Sequence, residues 1–298
     1  MTEPTRHFIH CPDAANGHRV AYWSWGHPEA DHVVLCVHGL TRQGRDFDVL
    51  ARALCERAER AGQRLRVVCP DVVGRGNSDW LADPMAYQVP TYAADMLTLI
   101  GHLRATKLDW VGTSMGGLIG MAVCAHLGTA GVRRLVLNDV GPTIEWQALQ
   151  RIGQYLGRGG EFDSLQQAAD ALWAIASSFG PHTPAQWLAL SRPMVKPVAG
   201  GGDRLRLHYD PALALSFRLV TPEAAAQGQA VMWQLYDSLA LPTLLLRGAD
   251  SDLLSPLTAQ TMTQRGPRAR LLQFAGVGHA PTLIADDQVQ AVSDFLLG

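Results

Sequence analysis

The chain has 298 residues, 47% hydrophobic and 17% charged, a globular composition with ample material for a sizeable core. A formal net charge of −2 without a basic run argues against nucleic acid or an anionic membrane as the main partner. The opening MTEPTRHFIH has no apolar core like that of a signal peptide, and no later stretch is apolar enough to span a bilayer, so a cytoplasmic location is expected.

In chain order, short β-branched runs alternate with helical patterns. The strands expected are Phe8–Cys11, Val20–Trp25, Val33–Val37, Val67–Cys69, Leu108–Gly112, Leu135–Asn138, Thr243–Arg247 and Leu271–Phe274. Runs such as VVLCV, LVLN and TLLLR hold consecutive apolar residues rather than alternating, which suits strands covered on both faces. Between them, Phe47, Leu50, Ala51, Leu54 and Ala58 share one helical face, with Gly62 placed to end that helix. Tyr92, Met96, Leu99, Ile100 and Leu103 make a second stripe, and Val289, Val292, Phe295 and Leu296 a third. Strand then helix, repeated, predicts a doubly wound α/β sheet.

From about Thr143 to Leu239 the rhythm breaks. Helical patterns appear (Ile144–Leu156, Leu165–Phe179, Ala185–Leu190, Pro222–Tyr236) without a convincing strand, and KPVAGGGDR at 196–204 reads as an exposed loop. Such an insertion is expected to cap the C-terminal edge of the sheet, where open α/β folds bind ligands. The expected division is therefore a core of 1–142 and 240–298 with a helical cap at 143–239. Trp146, Trp173, Trp187, Trp233, Tyr155, Tyr209 and Tyr236 fall in the cap, where aromatics at helical spacing are usually core, although some rings must line any apolar site.

The segment WVGTSMGG, 110–117, joins an apolar strand to an apolar helix through Ser114, with glycines at 112 and 116. A G-x-S-x-G match alone is weak. In a tight strand-to-helix turn, however, it lifts a hydroxyl above the sheet edge at a helix N-terminus that favours developing negative charge. Such a serine needs a base, and the base an orienting group. RGADSDLLSP after the seventh strand carries Asp250 and Asp252, and FAGVGHAP after the eighth carries His279. The strand VVLCV runs into His38-Gly39-Leu40, so the N–H groups of Leu40 and Met115 are candidate oxyanion donors.

Together, HGL (38–40), DVVGRGNSD (71–79), GTSMGG (112–117), the loop 248–256 and GVGHAP (276–281) make the chain resemble an α/β-hydrolase-fold enzyme across most of its length. The resemblance implies an eight-stranded, mostly parallel sheet with helices on both faces. It also implies Ser114 as nucleophile, His279 as general base and then acid, and backbone oxyanion donors at Leu40 and Met115. In similar sequences an aspartate commonly precedes a proline by four residues in the acid loop, which selects Asp252 ahead of Pro256. Asp250 is a second candidate, and Asp139 in LVLNDVGP a third, because some relatives take their acid from that edge.

His38 has two readings: bracing the oxyanion loop or, with Gly39, contacting substrate. Asp71 and Arg75 are expected to hold the GRG turn through a salt bridge or an N-cap. Five cysteines (11, 36, 55, 69, 124) lack metal spacing, as do His102, His126, His182 and His208, so buried thiols and no metal site are expected. The function expected is cofactor-free hydrolysis of a carboxylic ester, lactone or thioester of small, apolar acyl character, through an acyl-enzyme on Ser114. Two rivals share the fold: a C–C bond hydrolase, whose longer glycine- and serine-rich loop HGLTRQG does not match, and a receptor that keeps the triad as a ligand pocket.

Overall fold

The structure is a computed structural model that describes residues 3–128 and 131–298. The chain opens with β1 (Thr5–Cys11) and β2 (His18–Gly26), then β3 (His32–Val37), α1 (Asp48–Arg60), β4 (Arg66–Pro70) and α2 (Val89–Leu103). It continues through β5 (Lys107–Thr113), α3 (Met115–Leu127) and β6 (Arg134–Asn138). An inserted segment follows: α4 (Trp146–Tyr155), β7 (Glu161–Phe162), α5 (Leu165–Ala176), α6 (Pro184–Ser191), β8 (Val195–Pro197), β9 (Leu205–Leu207), α7 (Leu213–Arg218) and α8 (Pro222–Ser238). The chain then returns through β10 (Thr243–Gly248), α9 (Pro256–Met262), β11 (Arg270–Phe274) and α10 (Asp286–Leu297).

Eight strands form one sheet in the order β1-β2-β4-β3-β5-β6-β10-β11. β2 pairs antiparallel with β1 and β4, and the other pairings are parallel. Alternation along β3 divides the core in two. Val33, Leu35 and Val37 face α2 and α3 through Met96, Leu99, Ile119 and Met121. Val34 and Cys36 face α1 and α10 through Leu50, Leu54, Val292 and Leu296. A strand buried on both sides favours apolar side chains at consecutive positions, which is why VVLCV of β3 and the leucines at 244–246 of β10 read as apolar runs, while buried Arg247 donates to the Leu254 and Ala249 carbonyls.

All eight expected strands lie within strands of this sheet, and the α/β-hydrolase architecture is the one observed. The strand order places β3 between β4 and β5, so the loops leaving β3 and β5 diverge from adjacent strand ends. That crevice is where open α/β sheets bind ligands.

The inserted segment differs from expectation in one respect. β7, β9 and β8 form a small antiparallel sheet, with each strand two or three residues long. Strands that short carry no readable alternation. Of the exposed loop read at 196–204, residues 198–204 form the turn joining β8 to β9, and Lys196 and Pro197 belong to β8. The five cysteines are free, and all but Cys55 are buried.

At the hairpin end of the sheet, buried His18 is clamped between two carboxylates: Nδ1 lies 2.8 Å from Asp13 Oδ2 and Nε2 lies 3.0 Å from Asp95 Oδ2. Donor atoms of Cys11, His18 and Asp95 converge within 4.8 Å of one another. Bonding to Asp95, reinforced by Asp13 against the opposing effect of burial, raises the imidazole to about 9. A histidine raised in the folded state stabilises the fold fully below its unfolded value, near 6.5, and that contribution is lost as pH rises through about 9. Thermal unfolding measured from pH 6 to pH 10 should therefore show a declining midpoint in the wild type. His18→Gln should be less stable at pH 6 and show a shallower decline; parallel curves would remove His18 from the account.

Candidate active site

The turn after β5 is strained in the way its sequence requires. Ser114 has φ 52° and ψ −118°, a conformation that L-residues rarely adopt. Its neighbours leave no room for side chains. A β-carbon on Gly112 would lie 2.3 Å from the Gly116 carbonyl oxygen, and one on Gly116 would lie 2.0 Å from that of Val37. The backbone is fixed by Ser114 N–H donating to the Asn138 carbonyl at 2.9 Å, across to β6.

Ser114 Oγ lies 2.9 Å from His279 Nε2, and His279 Nδ1 lies 2.7 Å from Asp139 Oδ2. Asp139 follows β6 and is 0% exposed. Its carboxylate also accepts from Gly248 N–H on Oδ1 at 2.9 Å and from the Ser251 hydroxyl on Oδ2 at 2.6 Å. Three donors thus surround a buried charge that would be costly without them. With the carboxylate accepting at Nδ1, the proton sits there and Nε2 is left to accept from the serine.

This corrects the assignment of the acid to Asp252. Its carboxylate is 49% exposed and forms a bidentate pair with Arg151 of α4 at 2.7 and 2.9 Å. Asp250 is also exposed; its backbone N–H donates to the Val277 carbonyl. The loop after β10 therefore supplies hydrogen-bond donors to the acid, through Gly248 and Ser251, rather than the acid itself. One signal for Asp139 was present in the sequence. It sits directly after LVLN and before Val140, where a carboxylate is buried and must be fully partnered.

His38 is corrected as a substrate contact. It is 0% exposed, and both ring nitrogens are committed to backbone. Nε2 accepts from Val72 N–H at 2.9 Å, so Nδ1 carries the proton and donates to the Gly39 carbonyl at 2.7 Å. Burial, opposed in part by that carbonyl, lowers its value to about 3, which keeps the ring neutral. His38 braces the turn, whereas Gly39 lines the cavity.

Arg75 was expected in a salt bridge or N-cap, and the structure gives it another job. Fully buried, it donates from Nε to the Leu40 carbonyl at 2.8 Å and from Nη1 to the Val73 carbonyl at 2.7 Å, while Nη2 lies 3.4 Å from Met115 Sδ. One guanidinium therefore steadies both residues proposed to supply oxyanion donors. Among the described residues, the N–H groups of Leu40 and Met115 donate to no protein acceptor. Asp71 instead accepts from the N–H groups of Gly44 and Asn77.

Asn138, which sequence reasoning passed over, ties the site together. Its Nδ2 donates to Thr113 Oγ1 at 3.0 Å and to the Pro281 carbonyl at 2.8 Å, linking the serine turn, β6 and the histidine loop.

Ser114 and His279 open into a cavity walled by Ile152, Tyr155, Leu172, Ile175, Phe179, Leu190 and Met194 from the inserted segment and by Gly39, Leu40 and Arg42 from the core. Of the cap aromatics singled out from sequence, Tyr155 lines it. Trp187 instead packs with Leu172, Leu190 and Met194, with Trp173 edge-on at 4.9 Å. Trp233 donates to Thr143 and stacks under Arg265.

An alpha/beta hydrolase family model matches residues 34–295. The chain belongs to the alpha/beta hydrolase family. This hydrolase is 47% identical over 296 residues to the 3-hydroxybutyrate-oligomer hydrolase of Cupriavidus necator, an alignment covering 99% of this chain and 98% of that one. It is 28% identical to a proline iminopeptidase of Lactobacillus delbrueckii subsp. bulgaricus over 89% of each chain. A solved alpha/beta hydrolase from Novosphingobium aromaticivorans superposes with a TM-score of 0.81 at 34% identity over 99% of both chains.

The geometry separates the two candidate acids experimentally. Asp139→Asn should lower kcat on an aryl ester on the order of 10³–10⁴-fold, because the amide favours the wrong imidazole tautomer. Asp252→Asn, which loosens a solvent-exposed pair, should leave kcat close to wild type. Initial rates on p-nitrophenyl butyrate check both, and the opposite ranking would restore Asp252.

Proposed function

We propose that this hydrolase cleaves carboxylic esters through an acyl-enzyme on Ser114, and that its substrates are short oligomeric esters of hydroxyacids. The observation that carries the chemistry is the unbroken relay from Asp139 through His279 to Ser114 Oγ beneath an apolar cavity. In this reading His279 Nε2 takes the serine proton as Oγ attacks the ester carbonyl. Asp139 holds the ring in the tautomer that can do so and stabilises the imidazolium that forms. The N–H groups of Leu40 and Met115 receive the negative oxygen; losing one such donor costs about 3 kcal/mol of transition-state stabilisation. His279 then gives its proton to the departing alcohol and later activates the water that releases the acid.

The substrate class is supported by the end-to-end similarity to a relative named for hydrolysing 3-hydroxybutyrate oligomers. The walls agree in chemistry: the aliphatic side chains suit short methyl-branched units, and beyond the reacting centre the charged groups are Arg42 with Asp46 and Arg151. We take 1–142 and 240–298 as the hydrolase core and 143–239 as the cap that selects among substrates, because α4, α5 and the residues around α6 supply the apolar wall. α8 departs from the covering role by packing against α3.

Ser114→Ala should abolish hydrolysis of p-nitrophenyl butyrate and of 3-hydroxybutyrate trimer while the thermal midpoint stays at the wild-type value. Undiminished turnover in that variant would end the proposal.

A further inference from the structure

Arg42 lines the cavity into which Ser114 opens, together with Asp46 and a second arginine, Arg151, among largely aliphatic walls. A β-carbon set on Gly39 would lie 3.7 Å from Ser114 Cβ and 3.8 Å from Arg42 Cγ, so the arginine stem and the serine flank the same point. From there the side chain crosses to the cap: its guanidinium carbon lies 5.9 Å from the centre of the Phe179 ring, and Nη2 lies 3.4 Å from the Leu190 carbonyl. Nε and Nη2 form a fork on Asp46 at 2.6 and 2.7 Å. Among the described residues Nη1 donates to nothing, and it belongs to a residue that lines the cavity.

The cavity also has a long direction. Thr41, Tyr155, Leu172, Ile175 and Met194 line both it and a second cavity that continues to Arg158, Phe162, Leu207 and Tyr209. Arg42 lines the first cavity and is absent from the second. The cleft therefore offers a largely apolar run for several ester units; of the arginines along it, Arg151 is forked onto Asp252, Arg158 lies on the second cavity, and Arg42 has its stem beside the reacting serine. A planar guanidinium with free donors is the group best shaped to hold a carboxylate.

We propose that Arg42 reads the free carboxylate of a hydroxyacid oligomer, seating the terminal unit on the alcohol side of the scissile ester so that the chain is shortened from its carboxyl end. This rests on the ester-hydrolase reading above and specifies its direction. Ser114 Oγ bonds to the carbonyl carbon of the penultimate unit, and the bond from that carbon to the ester oxygen breaks. The terminal unit leaves as a free hydroxyacid whose new hydroxyl carries the proton from His279. Water then adds to the acyl-enzyme and releases a shorter oligomer ending in a new carboxylate, again a substrate for Arg42.

The test compares 3-hydroxybutyrate trimer as its free acid and as its carboxyl-end methyl ester, with p-nitrophenyl butyrate as the neutral reference. Wild type should favour the free acid in kcat/KM by about 10- to 100-fold, the scale of a charge-assisted hydrogen bond. The first product should be monomer from the carboxyl end, seen with a trimer tagged at its hydroxyl end. Arg42→Met should bring the acid-to-ester ratio to about 1, chiefly through KM. Arg42→Met/Asp46→Asn, which leaves no unpaired carboxylate behind, should do the same, and Arg42→Lys should retain part of the preference. Equal rates on both trimers in wild type, a preference that survives in the double variant, or a first cut at the hydroxyl end would overturn the role of Arg42 and leave ester hydrolysis standing. Failure of wild type to hydrolyse either trimer or the aryl ester would instead overturn the underlying reading, and the inference with it.

Discussion

The site depends on a hydrogen bond made far from the substrate, between a carboxylate at the end of β6 and an imidazole after β11. Asp139 has no access to solvent, so its charge exists there only because His279, Ser251 and Gly248 all donate to it. Those donors come from the β10 and β11 ends of the sheet. Meeting the acid's hydrogen-bonding demand therefore draws three loops to one rim, and the orientation of His279 toward Ser114 follows from where its other nitrogen is held. The energetic logic is that of a buried network: fully satisfied it is rigid, and with one member missing it is costly.

The rest of the rim is built on the same plan, with polar side chains answering backbone groups that the sheet leaves open. His38 spends both nitrogens on the turn after β3, and Arg75 spends its guanidinium on Leu40, Val73 and Met115. Asn138 joins the serine turn to the histidine loop. None of these side chains lines the cavity, yet each limits the positions available to a group that does. Preorganised donors lose little energy to rearrangement as charge develops, which is what the proposed acyl transfer requires of Leu40 and Met115.

Much of this was legible in the residues. Central strands buried on both faces announce themselves as continuous apolar runs, while edge strands such as β1 alternate, and both patterns let all eight strands of the sheet be placed from composition and spacing. Ser114 stood out because Gly112 and Gly116 have no other reason to flank it so closely, and His279 because it follows the last strand. The acid was harder to read. Asp139, Asp250 and Asp252 all follow strands on the same edge, and choosing among them requires knowing which carboxylate the sheet buries. Asp252 lies on the surface pairing with Arg151, a contact between residues separated by a hundred positions that no local pattern encodes. The short strands β7, β8 and β9 were invisible for a different reason: two or three residues have no period. The roles of Arg75 and Asn138 depend on loops meeting across the sheet, and only the assembled rim shows them.

The central claim is that the proton on His279 Nδ1 is held by Asp139, and proton NMR at low temperature observes it directly. A hydrogen-bonded imidazole N–H of this kind resonates far downfield of the amide envelope. Such a signal is expected in the wild type and in Asp252→Asn, and its loss in Asp139→Asn. A signal that persists without Asp139 and disappears with Asp252 would contradict it.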